Sequence, residues 1–455
     1  MRLINIDTMK MGEFYGSQIP EYFILSHTWD AEGEISFQDY LWLDNHEEGI
    51  SQGILSEMTP KQRERAEAKA QSVRSRAGFK KIDRFAVLAR EARAKLKKSP
   101  TGYRVLWSSN VNHIWIDTVC INKESSAELS EAINSMFAWY QDAAACFAYV
   151  GDCDSEADLA KGRWFTRGWT LQELLAPKEV IFFSASWTAM GTRTSLASTI
   201  SAITRIQADY LLGREPISDA TVARRMSWAS SRCTTREEDT AYCLLGIFGI
   251  NMPLLYGEGS RAFIRLQEEI IRHHNDHTIF CWSWPVSPDL DSCPEWSGCL
   301  APQPSVFAES GHFQQGYPDE GKGPHEFQLT NAGLRISAVV LDCLRETYKL
   351  LVFNAVESRP DEIHPRLVCV LVQSTRQGDG YLARSRLPNQ LLVLPHSQRG
   401  FGSADARRTV YLVHERDPNT VSLKRKKPLW MKPVSHGSSV LMISSPIMAR
   451  YLAVR

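Results

Sequence analysis

The sequence has no apolar run approaching the roughly 18 residues that a membrane span requires. Its opening residues, MRLINID, lack the apolar core of a signal peptide. No charge of one sign dominates, because Lys plus Arg and Asp plus Glu both number 52. Without a net field, charge alone recruits neither nucleic acid nor an anionic membrane. The ten cysteines are scattered, mostly inside apolar stretches, which is not the pattern of a disulfide framework. No internal repeat, P-loop or long low-complexity tail is present. What remains is average globular composition, with 43% apolar and 23% charged residues, which excludes disorder. At roughly 150 residues per domain, the 455 residues accommodate two or three domains. The expectation is a soluble, cytoplasmic protein with no membrane partner.

The apolar patterning alternates between strands and helices. Tyr22 to Trp29 (YFILSHTW) reads as a buried strand, His113 to Ile121 as a second, Cys146 to Val150 as a third and Val180 to Phe183 as a fourth. Between them, Ser36 to Leu43 reads as a short helix. Thr59-Pro60 caps a charged helical segment interrupted at Gly78, with Lys95, Lys97 and Lys98 in its last turn. Leu129, Ile133, Met136, Phe137 and Tyr140 mark one face of a further helix. Arg167 to Leu175 is helical until Pro177 stops it. Apolar strands alternating with helices predict an α/β fold with a parallel sheet and flanking helices, in the Rossmann-like or flavodoxin-like class. Residues 192 to 275 read as helical. Beyond Thr278 short strands separated by turn signals, among them Leu334–Leu341, Tyr348–Phe353, Leu367–Val372, Val410–Val413 and Val440–Ile443, predict a β-rich sandwich or barrel.

In an open parallel sheet, ligands bind beyond the carboxyl ends of the strands. That rule collects Ser26, His27, Trp29 and Asp30 from the first strand and Asp117, Cys120 and Asn122 from the second. The helix with Trp169, Gln172 and Glu173 borders the same edge. Each residue also has a plain reading. His27 is a hydrogen-bonded strand end, Cys120 an inert buried thiol, Asp117 a helix cap, Trp169 core, and Glu173 a salt-bridge partner of Arg167. Tyr256-Gly257-Glu258-Gly259 reads as a turn more than a phosphate cradle, lacking the following Lys-Ser/Thr. His273, His274, His277, Cys281, Cys293 and Cys299 fit no standard zinc spacing, so no metal is expected. Lys424 to Lys427 is a basic turn or a nuclear-import patch. The Lys61–Lys98 segment is an exposed helix face or an anion-binding one, with nucleic acid the least favoured partner.

Three ordered blocks resemble the fungal heterokaryon-incompatibility (HET) domain family. They are Tyr22 to Trp29, with its Leu-Ser-His-x-Trp core; Ile114 to Asn122 (IWIDTVCIN), followed by Glu128, Ile133, Met136, Tyr140 and Ala143; and RGWTLQELLAP, followed by Phe182 or Phe183 and Trp187. The family usually has Gln where Lys123 stands and Arg where Thr28 stands. Arg225 to Gly246 and Leu254 to Gln267 resemble the extension found behind many such domains. The resemblance implies domains at 1–190 (HET), 191–282 (helical extension) and 283–455 (β-rich, sandwich-like). It also implies a cell-death effector in fungal non-self recognition. HET domains are similar to TIR domains, and Trp169-x-x-x-Glu173 resembles the helix in which enzymatic TIR domains carry a catalytic glutamate, with Thr170 where Cys often stands.

The likeness implies cleavage of the nicotinamide–ribosyl bond of NAD or a related nucleotide, a substrate and not a cofactor. Glu173 would stabilise the oxocarbenium-like charge; Trp29 or Trp169 would stack on a ring; Ser26, His27, Asp117 and Asn122 would line the substrate site. The alternative is a non-enzymatic module that triggers death by self-association or partner recruitment, with a protein partner engaged through the C-terminal domain. An exposed Glu173 in an open cleft favours the enzyme; a buried and paired Glu173 favours the module.

Overall fold

The strand Tyr22–His27 is buried at every residue and forms the middle of a seven-stranded sheet. The computed structural model describes residues 1–29, 32–52, 58–94, 110–283, 298–316, 326–342, 348–357, 366–375, 378–384, 392–394 and 407–412. Asp30, Lys95, Lys97, Lys98, Cys293, Val413, Lys424 to Lys427 and Val440 to Ile443 lie outside the described residues. The chain divides into two units. The first comprises Met1–Ile217, Arg232–Thr234 and Cys243–Leu254; the second comprises Ser218–Ser231, Thr235–Tyr242 and Leu255–Arg455.

The first unit contains, in chain order, β1 (Arg2–Asn5), β2 (Met11–Glu13), β3 (Tyr22–His27), α1 (Phe37–Ser51), α2 (Pro60–Ser75), α3 (Ala77–Ala94), β4 (His113–Trp115), α4 (Asp117–Cys120), α5 (Ser126–Asp142), β5 (Ala145–Tyr149), α6 (Thr170–Leu175), β6 (Val180–Phe183), β7 (Ala189–Thr192), α7 (Ala197–Thr204) and α8 (Ala208–Leu211). The sheet order is β2-β1-β4-β3-β5-β6-β7. Its four central strands run parallel, in register at Phe23↔Ile114, Ile24↔Cys146 and Phe147↔Ile181. The three remaining strands pair antiparallel, so the sheet is mixed and not purely parallel as expected. These flanking strands have three or four residues, too short for an alternation signal, and Gly12 and Gly191 interrupt them.

Other differences have local causes. The second expected strand stops at Trp115, and the chain turns at once into α4. Helix α1 continues to Ser51, started by a capping box in which Ser36 and Asp39 satisfy each other's backbone N–H groups. Thr59 and Gln62 form the same box at α2, with Pro60 in its first turn as expected. The break after α2 falls at Arg76, whose backbone is extended, and not at Gly78. Gly78 lies inside α3, where a Cβ would come within 2.8 Å of the backbone at Glu34 and Ile35.

Residues 243–254 return to the first unit and pack on α5. Asn134 exchanges hydrogen bonds with Met252, receiving its N–H at 3.2 Å and donating to its carbonyl at 3.3 Å. The helical turn Leu245–Phe248 brings Gly246 against Phe137.

The second unit begins with helices α9 (Val222–Ala229) and α10 (Asp239–Tyr242), followed by the helix Arg261–His273. Buried Asp276 accepts the Val222 N–H at 2.7 Å and so caps α9. The strands are β8 (Phe313–Gln315), β9 (Phe327–Thr330), β10 (Gly333–Asp342), β11 (Tyr348–Glu357), β12 (Arg366–Thr375), β13 (Gly378–Arg384), β14 (Leu392–Leu394) and β15 (Arg407–Leu412). Of the two expected arrangements, sandwich or barrel, the strands form the barrel-like one. Strand β12 pairs with β11 and β13, β13 with β15, β15 with β10 and β10 with β11, which closes a five-stranded ring. A closed ring with an odd number of strands cannot be antiparallel throughout. The β13–β15 pair is parallel. A register shift between Val352 and Val356 in β11 adds the curvature that closure needs. Half-buried Arg384 lies 3.6 Å from the centre of the Trp282 ring and donates to the Phe280 carbonyl at 3.0 Å.

A Cβ at Gly246 would stand 2.1 Å from the Phe137 Cβ. Overpacking a well-filled contact typically costs about 1–3 kcal/mol, so Gly246→Ala should destabilise the chain by about that amount. A urea midpoint for the variant equal to that of the wild type would show that this contact yields without cost.

Candidate functional site

Successive residues on a strand point to opposite faces, so Ser26 and His27, the last two residues of β3, enter different surroundings. Ser26 is fully buried. Its hydroxyl donates to Glu173 Oε2 at 2.5 Å and accepts the indole N–H of Trp164 at 2.7 Å. Tyr140, from α5, donates to the Leu25 carbonyl at 3.1 Å and also meets the Glu173 carboxyl. Glu173 is 6% exposed. Burial pushes its pKa up to about 8; the Ser26 hydrogen bond opposes this and the charge of Asp117 adds to it. At neutral pH this carboxyl is therefore mostly protonated.

On the other face, His27 Nε2 lies 3.0 Å from Asp117 Oδ1, and the Trp29 indole donates to Asp117 Oδ2 at 2.9 Å. The strand ends at Trp115, so Asp117 opens α4 and does not sit inside a strand. Its side chain is 20% exposed. Burial alone would raise its pKa, but the hydrogen bonds from His27 and Trp29 and the charge of Lys123 outweigh this and bring it down to about 2. The two carboxyl groups of this edge are thus held in opposite protonation states by their surroundings. The other ring nitrogen of His27, Nδ1, is buried without a hydrogen-bond partner among the described residues.

Two of the expected residues join neither group. The Asn122 side chain accepts from Gln38 Nε2 at 2.8 Å, and its backbone N–H goes to Glu128 Oε1 at 2.8 Å. Arg2 grips the same Glu128 through both guanidinium nitrogens. Trp169 stands half-buried at the start of α6, with no side-chain hydrogen bond or ring contact among the described residues. The indole that reaches Ser26 is Trp164, five residues earlier, which no spacing signal singled out. Cys120 is buried, its thiol pushed up to about 12 chiefly by burial, in accord with an inert thiol. Arg167 makes no ion pair with Glu173 among the described residues; its guanidinium lies 5.5 Å from the Trp29 ring centre.

Helix α6, which carries Glu173, is fastened at both ends. The Thr170 hydroxyl bonds the Trp164 and Arg167 carbonyls at its start, and Arg193 donates to the Leu174 carbonyl at 2.7 Å at its end. Residues 232–234 strap the preceding loop. Cys233 N–H donates to the Thr166 carbonyl at 2.7 Å, Gly168 N–H donates to the Cys233 carbonyl at 2.9 Å, and Arg232 donates to the Arg167 carbonyl at 2.8 Å. A Cβ at Gly168 would come within 2.5 Å of Thr234 Cγ2.

A family model described as "Heterokaryon incompatibility protein (HET)" matches residues 22–162, which bring β3, β4, α5 and β5 together. This segment of the chain is thus similar to a HET domain. A second model, described as "Domain of unknown function (DUF8212)", matches residues 261–316. Vegetative incompatibility protein HET-E-1 of Podospora anserina is 40% identical to this chain over 266 residues. The match covers 56% of this chain but only 16% of that relative's length. No solved structure matches. Glu173 lies beyond the residues matched as HET, although it bonds to Ser26 within them.

Elsewhere, the Gly257 and Gly259 N–H groups that would cradle a phosphate are occupied by Glu238, which accepts them at 2.7 and 3.1 Å. Among the described residues no group of His, Cys, Asp and Glu is arranged to hold a metal ion, and no helix is long and apolar enough to cross a membrane.

The raised pKa of Glu173 fixes a sign. Its contribution to stability is fully present below its ordinary value of 4.5 and is lost as the pH rises through about 8. Glu173→Gln keeps the shape and carries no charge. The variant should therefore melt closer to the wild type at pH 5 than at pH 8.5, where it should be the more stable of the two. An equal offset at both values would mean that Glu173 does not titrate in this range.

Proposed function

We propose that this chain acts in vegetative incompatibility as a non-self-recognition cell-death effector, and that its HET domain works as an interaction module, not through Glu173 as a catalytic carboxylate. The matches to the HET model and to an incompatibility protein support the first part. The state of Glu173 carries the second. An oxocarbenium-like transition state is stabilised by an ionised carboxylate facing the sugar. Glu173 is buried, bonded to Ser26 and held neutral near pH 7, so it offers neither charge nor access. In this reading Ser26, Trp164, Tyr140 and Glu173 fix the loops that a partner or a second copy recognises, and the β-rich unit receives the activating partner.

A second reading, hydrolysis of NAD or a related nucleotide by a TIR-like domain, draws on the strand order β4-β3-β5-β6 and on the half-exposed edge with ionised Asp117, Trp29 and His27. The order places a switch point beside β3, where open parallel sheets bind ligands. Catalysis by Glu173 would then require an opening that exposes and ionises it.

The two readings separate on one substitution. The full chain and its Glu173→Gln variant are expressed inducibly in fungal cells, and cell death and nicotinamide release are measured together. The module predicts that Glu173→Gln kills within about twofold of the wild type and that neither protein releases nicotinamide above background. A catalytic carboxylate predicts release by the wild type and a loss of roughly 100- to 1,000-fold in the variant, together with loss of killing.

A further inference from the structure

Three cations converge on Trp29. Lys123 Nζ stands 3.5 Å from the centre of its ring, and the Arg167 guanidinium carbon stands 5.5 Å from the same centre. Arg163 Nη2 donates to the Trp29 carbonyl at 3.4 Å. Lys123 and Arg163 are exposed and Arg167 is half-buried, so all three are open to a ligand. Among the described residues none of them forms an ion pair. An exposed cation over an indole gains only about 0.5–1 kcal/mol, and Lys123 and Arg167 repel one another. Of the carboxylates nearby, Asp117 has both oxygens engaged, by His27 and by Trp29, Glu34 acts on Lys123 through charge without pairing with it, and Asp152 accepts the Arg163 backbone N–H at 2.8 Å. Three cationic side chains without an ion pair among the described residues thus meet at the carboxyl ends of the parallel strands.

We propose that Lys123, Arg163 and Arg167 form a binding site for an anionic phosphate ligand of the pyrophosphate class, with Trp29 as its fixed floor. The Asp117 hydrogen bond holds the indole in place, so the cations meet a rigid platform. Guanidinium groups suit phosphate oxygens because they present planar paired donors, and Lys123 adds a point charge. Lys123 lies over the indole, so the site reads the phosphates and not a stacked base. The proposal stands apart from catalysis: an interaction module gated by a phosphate ligand and a nucleotide hydrolase would both use it.

The test is calorimetric titration of the full chain with pyrophosphate, ADP and adenosine, beside Lys123→Gln, Arg163→Gln and Arg163→Lys. Pyrophosphate and ADP should bind saturably and adenosine should not. Each Gln variant should weaken binding by about five- to tenfold, as loss of one charge-assisted contact at an exposed site predicts. Arg163→Lys, which keeps the charge, should fall between Arg163→Gln and the wild type. Affinity should also decline between low and high salt. Unchanged melting temperatures confirm that the variants fold. Absence of pyrophosphate binding, equal binding by Lys123→Gln and wild type, or adenosine binding as tight as ADP would each overturn the proposal. Absence of pyrophosphate binding by a wild-type chain that still kills would overturn this site alone and leave the incompatibility reading standing.

Discussion

The Ser26 hydroxyl is the joint on which the N-terminal unit turns. It sits at the end of the central strand with no access to water, giving its proton to Glu173 and taking one from Trp164. A buried hydroxyl left without partners would cost about 1–3 kcal/mol, so the loop carrying Trp164 and the helix carrying Glu173 must both come to it. The fastening of α6 by Thr170, Arg193 and the 232–234 strap serves that requirement. Each of those contacts holds backbone near the helix that has to deliver one carboxyl to one oxygen.

The alternation of β3 then separates two electrostatic regimes. One face holds a buried hydrogen-bonded network around Ser26. The other holds the ionised Asp117 with its hydrogen-bond partners His27 and Trp29, and cations beyond it. A single strand so places a protonated carboxyl and an ionised one on the same structural edge without allowing them to share a proton. The charge of Asp117 also helps keep Glu173 neutral, so the charged face reinforces the uncharged one.

Elements with dense local signals were legible in the sequence. Tyr22–His27 and Val180–Phe183 are continuous apolar runs, and α2 announces itself through Thr59, Pro60 and Gln62. The short edge strands carried no period to read, and the turn at Asp117 was hidden because Ile116 and Val119 look the same in a strand and in a buried helical turn. Barrel closure depends on pairings such as Arg335 with Tyr411, far apart in the chain, which local patterns do not encode. At the site, the strand-end rule named Ser26, His27, Trp29, Asp117 and Glu173, and hydrogen bonds join Ser26 to Glu173 and Asp117 to His27 and Trp29. Their division between two faces was not foreseen, although period-two alternation implies it. Trp164 was missed in favour of Trp169 because two indoles five residues apart look alike until a backbone decides which one faces the strand.

The strap at Arg232–Thr234 has a consequence for the order of synthesis. The N-terminal unit draws its last pieces from residues 232–234 and 243–254, after the chain has begun its second unit. As the polypeptide leaves the ribosome, the sheet and helices α1 to α8 are complete by Leu211, yet the loop ahead of α6 still lacks the backbone partners at Thr166 and Gly168. Until Cys233 emerges, Glu173 rides on a segment held at one end fewer than in the finished fold. The nascent domain thus passes through a stage in which the segment that carries its buried carboxyl still awaits its strap.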